Sequence, residues 1–353
     1  MPGTKVNEET FLFVVEYFDP MPRLKRQYLL KLYTEDMDVE MVDLRSKKMF
    51  LKRSPCPPHL KKEDFFIGGK VLLFARELDI VEYGDGKTRT ALQHQLQQSI
   101  MLLPFDTQAM WGTLIETLIE RNIMIAQAKS VMVPPEIANT CCNTLKSRNN
   151  GSLQSPNGVL ILVLQGEDGI NVVQGVVSQI DRDNALFVSS NEAETNELRS
   201  MLLNADSLES NVTLDSCTCC IVKPHAVRDK LFGKILSHIL SQQYEISAMT
   251  SIFFERPAAE EFLEVYQGVV PEYSDHVVEF CGGMCIAMEL RAQDAVSTFR
   301  QTAGPWDVEM AKELRPDTLR GLYGIDRVRN AVHCTDLESD ASAECEYVFK
   351  LLA

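Results

Sequence analysis

Short runs of β-branched and aromatic residues, separated by turn residues, fill roughly the first ninety positions of the chain. The run Phe11-Leu-Phe-Val-Val-Glu-Tyr17 predicts a strand that Asp19-Pro20 and Pro22 end. Residues 27–33 alternate apolar and polar side chains and predict a second strand; Asp36-Met37-Asp38 predicts a turn, and residues 39–43 a third strand. Residues 49–52, 70–74 and 79–83 continue the series. Strands this short and this regularly spaced predict a small β-barrel or sandwich.

Beyond residue 91 the period changes. Residues 99–103 read as a strand, and Trp111, Leu114, Ile115, Leu118 and Ile119 recur at helical spacing within 111–123. Residues 124–133 have strand composition, the polar stretch 141–155 reads as a loop, and 158–164 reads as a buried strand. The same order returns about 120 residues later: strand 218–222, helix 233–240, strand 246–254, a helix from 257 to 265, strand 283–290 and helix 294–302. A βαββαβ order predicts a ferredoxin-like sandwich, with helices on one face of an antiparallel sheet. The chain is therefore expected to be α+β in three parts: a β domain over 1–91 and two related modules over 92–210 and 211–353.

Charge sharpens the first boundary. The net charge is −15, yet residues 1–91 carry 16 Lys+Arg against 15 Asp+Glu, and the other 262 residues carry 19 against 35. Such an acidic chain is a poor non-specific nucleic-acid binder, because that needs clustered positive charge. The longest apolar runs are too short to span a bilayer. Glu8 and Glu9 stand where the apolar core of a signal peptide would begin, so none is expected. Ten cysteines without framework spacing fit reduced thiols in a cytosolic-type protein. In the N-terminal block, Arg45, Lys47, Lys48, Lys52 and Arg53 form a basic cluster. Two readings of it stand: a docking face, or a solvated edge kept from aggregating by its charges.

The candidate chemistry lies near the C-terminus. Strand 218–222 ends at Pro224, which leaves Lys223 at the strand's exit. Arg300 and Arg320 follow, then Asn330-Ala-Val-His333-Cys-Thr335-Asp336, and then Glu344. Imidazole becomes a covalent catalyst when one ring nitrogen is free to attack and an acceptor holds the other. Arginine's fork of donors suits phosphate. His238, on the helix 233–240, reads as an exposed or capping residue.

The heptapeptide 330–336 resembles the active-site signature of nucleoside diphosphate kinases, with Cys334 where that family has glycine and Thr335 where it usually has serine. The resemblance implies that His333 is the phosphorylated histidine and that Thr335 and Glu344 orient its ring. It assigns the phosphates to Lys223, Arg300 and Arg320, the ribose hydroxyl and phosphate to Asn330, and implies nucleoside di- and triphosphates as ligands with Mg²⁺. Two positions depart from the family. Glu272 replaces the phenylalanine that stacks on the base, a loss of about 1–3 kcal/mol, and Glu264 aligns with a phosphate-contacting tyrosine. Slow phosphotransfer, or binding without useful turnover, is the expectation. The middle module aligns Asn184-Ala-Leu-Phe187 with Asn330-Ala-Val-His333 and Leu103 with Lys223, so it is expected to be catalytically dead.

The first block resembles the DM-ten domain of axonemal proteins, which implies a pleckstrin-homology-like shape and no chemistry of its own. A DM-ten-like block before two kinase-like modules resembles a ciliary and flagellar branch of the kinase family. That implies tubulin, the doublet microtubule and axonemal proteins as partners, and a place in the cytoplasm, cytoskeleton and axoneme. Three functions follow: an axonemal structural protein with residual phosphotransfer, a working nucleoside diphosphate kinase, or a nucleotide-binding adaptor of the gamma-tubulin ring complex. The eroded module could fill a partner's place within one chain, which predicts a monomer.

Overall fold

The computed structural model describes residues 9–19, 24–58, 60–66, 70–74, 76–93, 96–145, 153, 155, 157–203 and 208–352. The expected strand breakers Pro20 and Pro22 and most of the expected loop 141–155 lie outside the described residues. The chain divides into two compact units: residues up to Gln95 with Cys281–Gly283, and the remainder.

The first unit contains an antiparallel sheet of β1 (Thr10–Asp19), β2 (Leu24–Tyr33), β3 (Asp38–Asp43), β4 (Met49–Pro55), β5 (Lys70–Leu73) and β6 (Arg76–Tyr83), ordered β4-β3-β2-β1-β6-β5, followed by α1 (Gly86–Gln93). Strand alternation turns Phe11, Phe13, Val15, Tyr28, Leu30, Leu32, Val39 and Met41 into one core with Val71, Leu73, Leu78 and Ile80. Within the basic cluster, Arg53 pairs with Asp36 at 2.8 Å and Asp38 at 2.7 Å and lies 3.9 Å from the Tyr33 ring centroid. Part of the cluster's charge is thus used to tie β4 to its own hairpin.

The second unit repeats one pattern twice. Its first module runs β7 (Gln97–Pro104), α2 (Gln108–Glu120), β8 (Met124–Val131), α3 (Pro135–Thr144), β9 (Val159–Gly166), α4 (Gly169–Ile180), β10 (Phe187–Val188) and α5 (Glu192–Leu202). The second runs β11 (Cys217–Val222), α6 (Pro224–Arg228), α7 (Phe232–Ser241), β12 (Glu245–Ile252), α8 (Arg256–Phe262), α9 (Tyr273–Phe280), β13 (Cys285–Arg291), α10 (Ala295–Ala303), α11 (Val308–Leu314), α12 (Leu319–Tyr323), β14 (Val332–Cys334) and α13 (Ala341–Glu346). The strand orders β10-β7-β9-β8 and β12-β13-β11-β14 are the ferredoxin-like arrangement in each. One segment departs from expectation. Residues 141–144, expected to begin a loop, instead complete α3, because Pro135 opens a helix and Ala138, Cys141 and Cys142 bury one face.

The two modules are not separate domains. Edge strands β8 and β12 join them into one eight-stranded sheet, paired at Thr250 and Lys129. Hydroxyls complete the seam: Met249 N donates to Ser130 Oγ (2.8 Å) and Ala128 N to Ser251 Oγ (3.0 Å). Helices α2 and α7 pack across it through glycine. A Cβ on Gly233 would come within 2.6 Å of Glu116 Cα, and one on Gly112 within 2.7 Å of Ser237 Cα. A single apolar core spans both modules.

Glu289, fully buried on β13, accepts from Thr213 N (2.8 Å), Thr213 Oγ1 (3.1 Å), Leu214 N (2.7 Å) and the Ser247 hydroxyl, and so pins the segment entering β11. Cys217 and Cys345 lie against it, with ligand atoms within 4.8 Å of one another. Its oxygens are already committed to those donors, so this cluster is a structural clamp.

Candidate functional site

His333 owes its position to a short strand. β14, at the edge of the sheet, pairs antiparallel with its neighbour β11, His333 opposite Ile221. The residue two before it, Ala331, has φ of +70°, a strained value for a residue with a Cβ. Its N–H donates to His225 Nε2 at 3.3 Å, and His225 Nδ1 in turn meets Glu279 at 2.7 Å. His225 therefore braces the backbone beneath His333.

The ring itself is held on one side. His333 Nε2 lies 3.0 Å from Glu344 Oε2, and Thr335 Oγ1 donates to the same oxygen at 2.7 Å. Cys219 N donates to Thr335 Oγ1 at 3.0 Å, which ties the hydroxyl to the sheet. With its proton on Nε2, directed at Glu344, the ring keeps its lone pair on Nδ1, which makes no hydrogen bond among the described residues. Phe262, Phe280 and Tyr266 surround the ring at centroid distances of 5.0, 6.3 and 6.4 Å.

The cationic side chains converge here, each already engaged. Lys223 is 1% exposed; its Nζ donates to Val328 O at 2.8 Å and sits 3.3 Å from His276 Nδ1. Burial, and then the Arg320 guanidinium, bring its ammonium down to about 7. Arg320 donates to Gly304 O (2.9 Å) and Val332 O (3.1 Å). Arg300 Nη1 meets Asp336 Oδ1 at 2.7 Å, and Tyr266 OH donates to the other oxygen of Asp336 at 2.7 Å. Asn330 Nδ2 donates to Trp306 O at 3.3 Å. The Trp306 indole is the hub: Arg320 Cζ lies 5.3 Å and Lys223 Nζ 5.7 Å from its centroid, with the His276 ring at 5.0 Å and Tyr266 at 5.5 Å. A groove of about 760 Å³ opens beside it, lined by Arg300, Arg315, Arg320, Cys334 and Asp336 among others.

Three buried polar atoms in this cluster have no hydrogen-bond partner among the described residues: Arg320 Nε, Asn330 Oδ1 and His276 Nε2. Orphaned buried groups are uncommon and costly, and their concentration at one place marks a site built for a polar ligand.

The acids expected to weaken the site sit differently from the alignment. Glu264 is exposed, and Tyr266, two residues on, faces His333 and Asp336 instead. Helix α8 ends at Phe262 and a tighter turn over 264–266 swings Tyr266 inward. Glu272 lies 3.6 Å from Arg327, which also pairs with Asp307, so its charge is offset locally. In the first module, Ile100 N donates to Ser189 Oγ as Cys219 N does to Thr335, and Phe187 faces Leu102 as His333 faces Ile221. That register sets Phe187 in the histidine's place and Pro104, one residue after Leu103, in the lysine's. His276, Trp306 and Tyr266 carry no motif; only the fold brings them to His333.

The ferredoxin-like module with the carboxylate-held histidine and converging Lys and Arg falls within residues 216–352, which the family model described as "Nucleoside diphosphate kinase" matches. The chain is 33% identical over 387 residues to "Nucleoside diphosphate kinase homolog 7" of Mus musculus, covering 99% of this chain and 95% of that one. It is 34% identical to the protein of the same name from Rattus norvegicus, with the same coverage. The crystal structure of the Aquifex aeolicus nucleoside diphosphate kinase overlies 39% of this chain and 97% of its own at 30% identity, with a TM-score of 0.37. The chain belongs to the nucleoside diphosphate kinase homolog 7 family.

Proposed function

We propose that the C-terminal module moves a phosphoryl group from a nucleoside triphosphate to a nucleoside diphosphate through phospho-His333, as a slow activity of a chain whose main role is structural. The observation that carries the first part is the ring geometry: Nε2 tied to Glu344 at 3.0 Å, and Nδ1 without a hydrogen bond among the described residues. The Nδ1 lone pair forms a bond to the γ-phosphorus. The bond from that phosphorus to the β,γ-bridging oxygen breaks, and its electron pair leaves with the nucleoside diphosphate. Glu344 stabilises the imidazolium that results. A terminal β-phosphate oxygen of a second diphosphate then takes the group, and His333 returns to its starting state.

In this reading Lys223, Arg300 and Arg320 hold the phosphates and Asn330 Oδ1 accepts from a ribose hydroxyl. Mg²⁺ enters with the nucleotide and offsets its charge. The described carboxylates at the site are taken, Asp336 by Arg300 and Tyr266 and Glu344 by His333 and Thr335. Phosphate oxygens and water would therefore hold the ion.

The structural role rests on other observations. The cations of the phosphate site are all engaged by protein groups, which slows turnover, and one of two modules carries phenylalanine for histidine. The resemblance of the first unit to the DM-ten domain, which implies a pleckstrin-homology-like shape, supports attachment to tubulin and axonemal proteins of the doublet microtubule in cilia and flagella. Incubation with γ-labelled ATP and Mg²⁺ followed by a GDP chase tests the chemistry: acid-labile label on His333 that passes to GDP is expected, and no label at His333 sinks it. Co-sedimentation with microtubules tests the structural role.

A further inference from the structure

His276 lies on α9, outside every motif of the chain, yet it is 3% exposed and packed against the site. Its two ring nitrogens face different tasks. Nδ1 is 3.3 Å from Lys223 Nζ. While Lys223 is an ammonium it can only donate, so Nδ1 is then the acceptor and the ring proton sits on Nε2. Burial, and next the Lys223 ammonium, push the imidazolium down to about 3, so the ring stays neutral in this tautomer. Nε2–H is then a buried donor with no partner among the described residues. Arg320 Nε–H is a second such donor, and both side chains lie against the Trp306 ring. Orphaned donors in a buried cluster call for anionic oxygen, and the orphaned acceptor of the same cluster, Asn330 Oδ1, calls for a hydroxyl. A sugar phosphate supplies both.

We propose that His276 is a phosphate-binding and positioning residue of this site: Nδ1 aims Lys223, and Nε2–H donates to a phosphoryl oxygen of the bound nucleotide. This rests on the nucleotide reading above and adds a residue to it. The groups that face Lys223 are His276, Arg320, Glu279, Cys285 and Cys334; those that face His276 are Lys223, Glu279, Arg320 and His333. Arg320 works against the Lys223 cation, and the acceptor at Nδ1 works for it. Removing that acceptor therefore moves the Lys223 titration downward.

The full chain with His276→Leu and His276→Gln separates the two halves. Leucine keeps the volume and loses both nitrogens; glutamine can still accept from Lys223 and donate to phosphate. Carbon-13 labelling at the lysine ε-carbons follows the Lys223 titration by NMR without nucleotide. Calorimetry follows Mg–ATP binding. The Leu variant is expected to lower the Lys223 midpoint by about one unit or more and to weaken Mg–ATP binding about tenfold or more. The Gln variant is expected to stay within about threefold in affinity. A folded Leu variant with unchanged midpoint and affinity overturns the proposal. A wild-type chain that does not bind Mg–ATP sinks the nucleotide reading and the Nε2 half together, while the Lys223 midpoint still decides the Nδ1 half.

Discussion

Glu344 Oε2 receives two groups at once, the Nε2 of His333 at 3.0 Å and the hydroxyl of Thr335 at 2.7 Å. One carboxylate oxygen thus sets both the ring's tautomer and its rotation. Glu344→Gln keeps the shape but can present a donor where the ring needs an acceptor. Phosphorylation of His333 is expected to slow about a hundredfold, within the usual span for positioned acid–base groups. Quench-flow labelling measures it; a Gln variant as fast as wild type would remove Glu344 from the mechanism.

Much of this pair was legible in the sequence, because His333, Thr335 and Glu344 fall close together near the C-terminus and a motif spans the first two. The leading strand, helix and strand and the later buried strand of each module were legible from periodicity for the same reason: they are local signals, whereas α4, α5, α9 and α11 to α13 were not read. What periodicity missed was set by contacts at long range. Trp306 and His276 stand on a loop and a helix remote from His333 in the chain, and no spacing rule joins them. Tyr266 was displaced in the alignment by a turn after α8 whose pitch is tighter than a helix. The stretch from 141 read as a polar loop, yet Ala138, Cys141 and Cys142 at helical spacing were enough to bury one face of α3, which runs on to Thr144.

The first module's Phe187 is 3% exposed and packs with Leu102, Leu198 and Leu202. Phe187→His places a polar ring there without Lys or Arg to serve a phosphate, since Pro104 holds the lysine's place. The variant is expected to lose about 3 kcal/mol of stability and to gain no second phosphohistidine. Denaturant unfolding and label mapping read both; label at residue 187 would show that this module still binds nucleotide.

The seam between the modules predicts a monomer of 39.8 kDa, because β8 occupies the edge of β12 that a second copy would otherwise use. Light scattering at dimer mass would contradict it. The same seam depends on glycine. A Cβ at Gly233 would reach 2.6 Å from Glu116 backbone, so Gly233→Val should cost about 3 kcal/mol or more. Loss of His333 labelling is expected to accompany unfolding of the joined sheet; a Val variant as stable as wild type would show that α2 and α7 can part without cost.

Lys223 gives stability a pH dependence of definite sign. Its folded value is about 7, against an ordinary 10.5. Between these values the unfolded chain holds a proton that the folded chain has released. Unfolding therefore takes up a proton, and raising the pH makes that uptake less favourable. Stability should climb as pH rises from about 7, at no more than about 1.4 kcal/mol per unit from this one group. Below pH 7 both states carry the proton, and the folded chain bears the full cost of a buried cation. The buried thiols act in the opposite sense once unfolded cysteines ionise, above about pH 8.5, so the window to measure is about 7 to 8.5. Lys223→Met removes the titrating group from both states. Urea unfolding of wild type and variant across that window should give a wild-type curve that rises relative to the variant; parallel curves would mean that Lys223 keeps its proton in the folded chain.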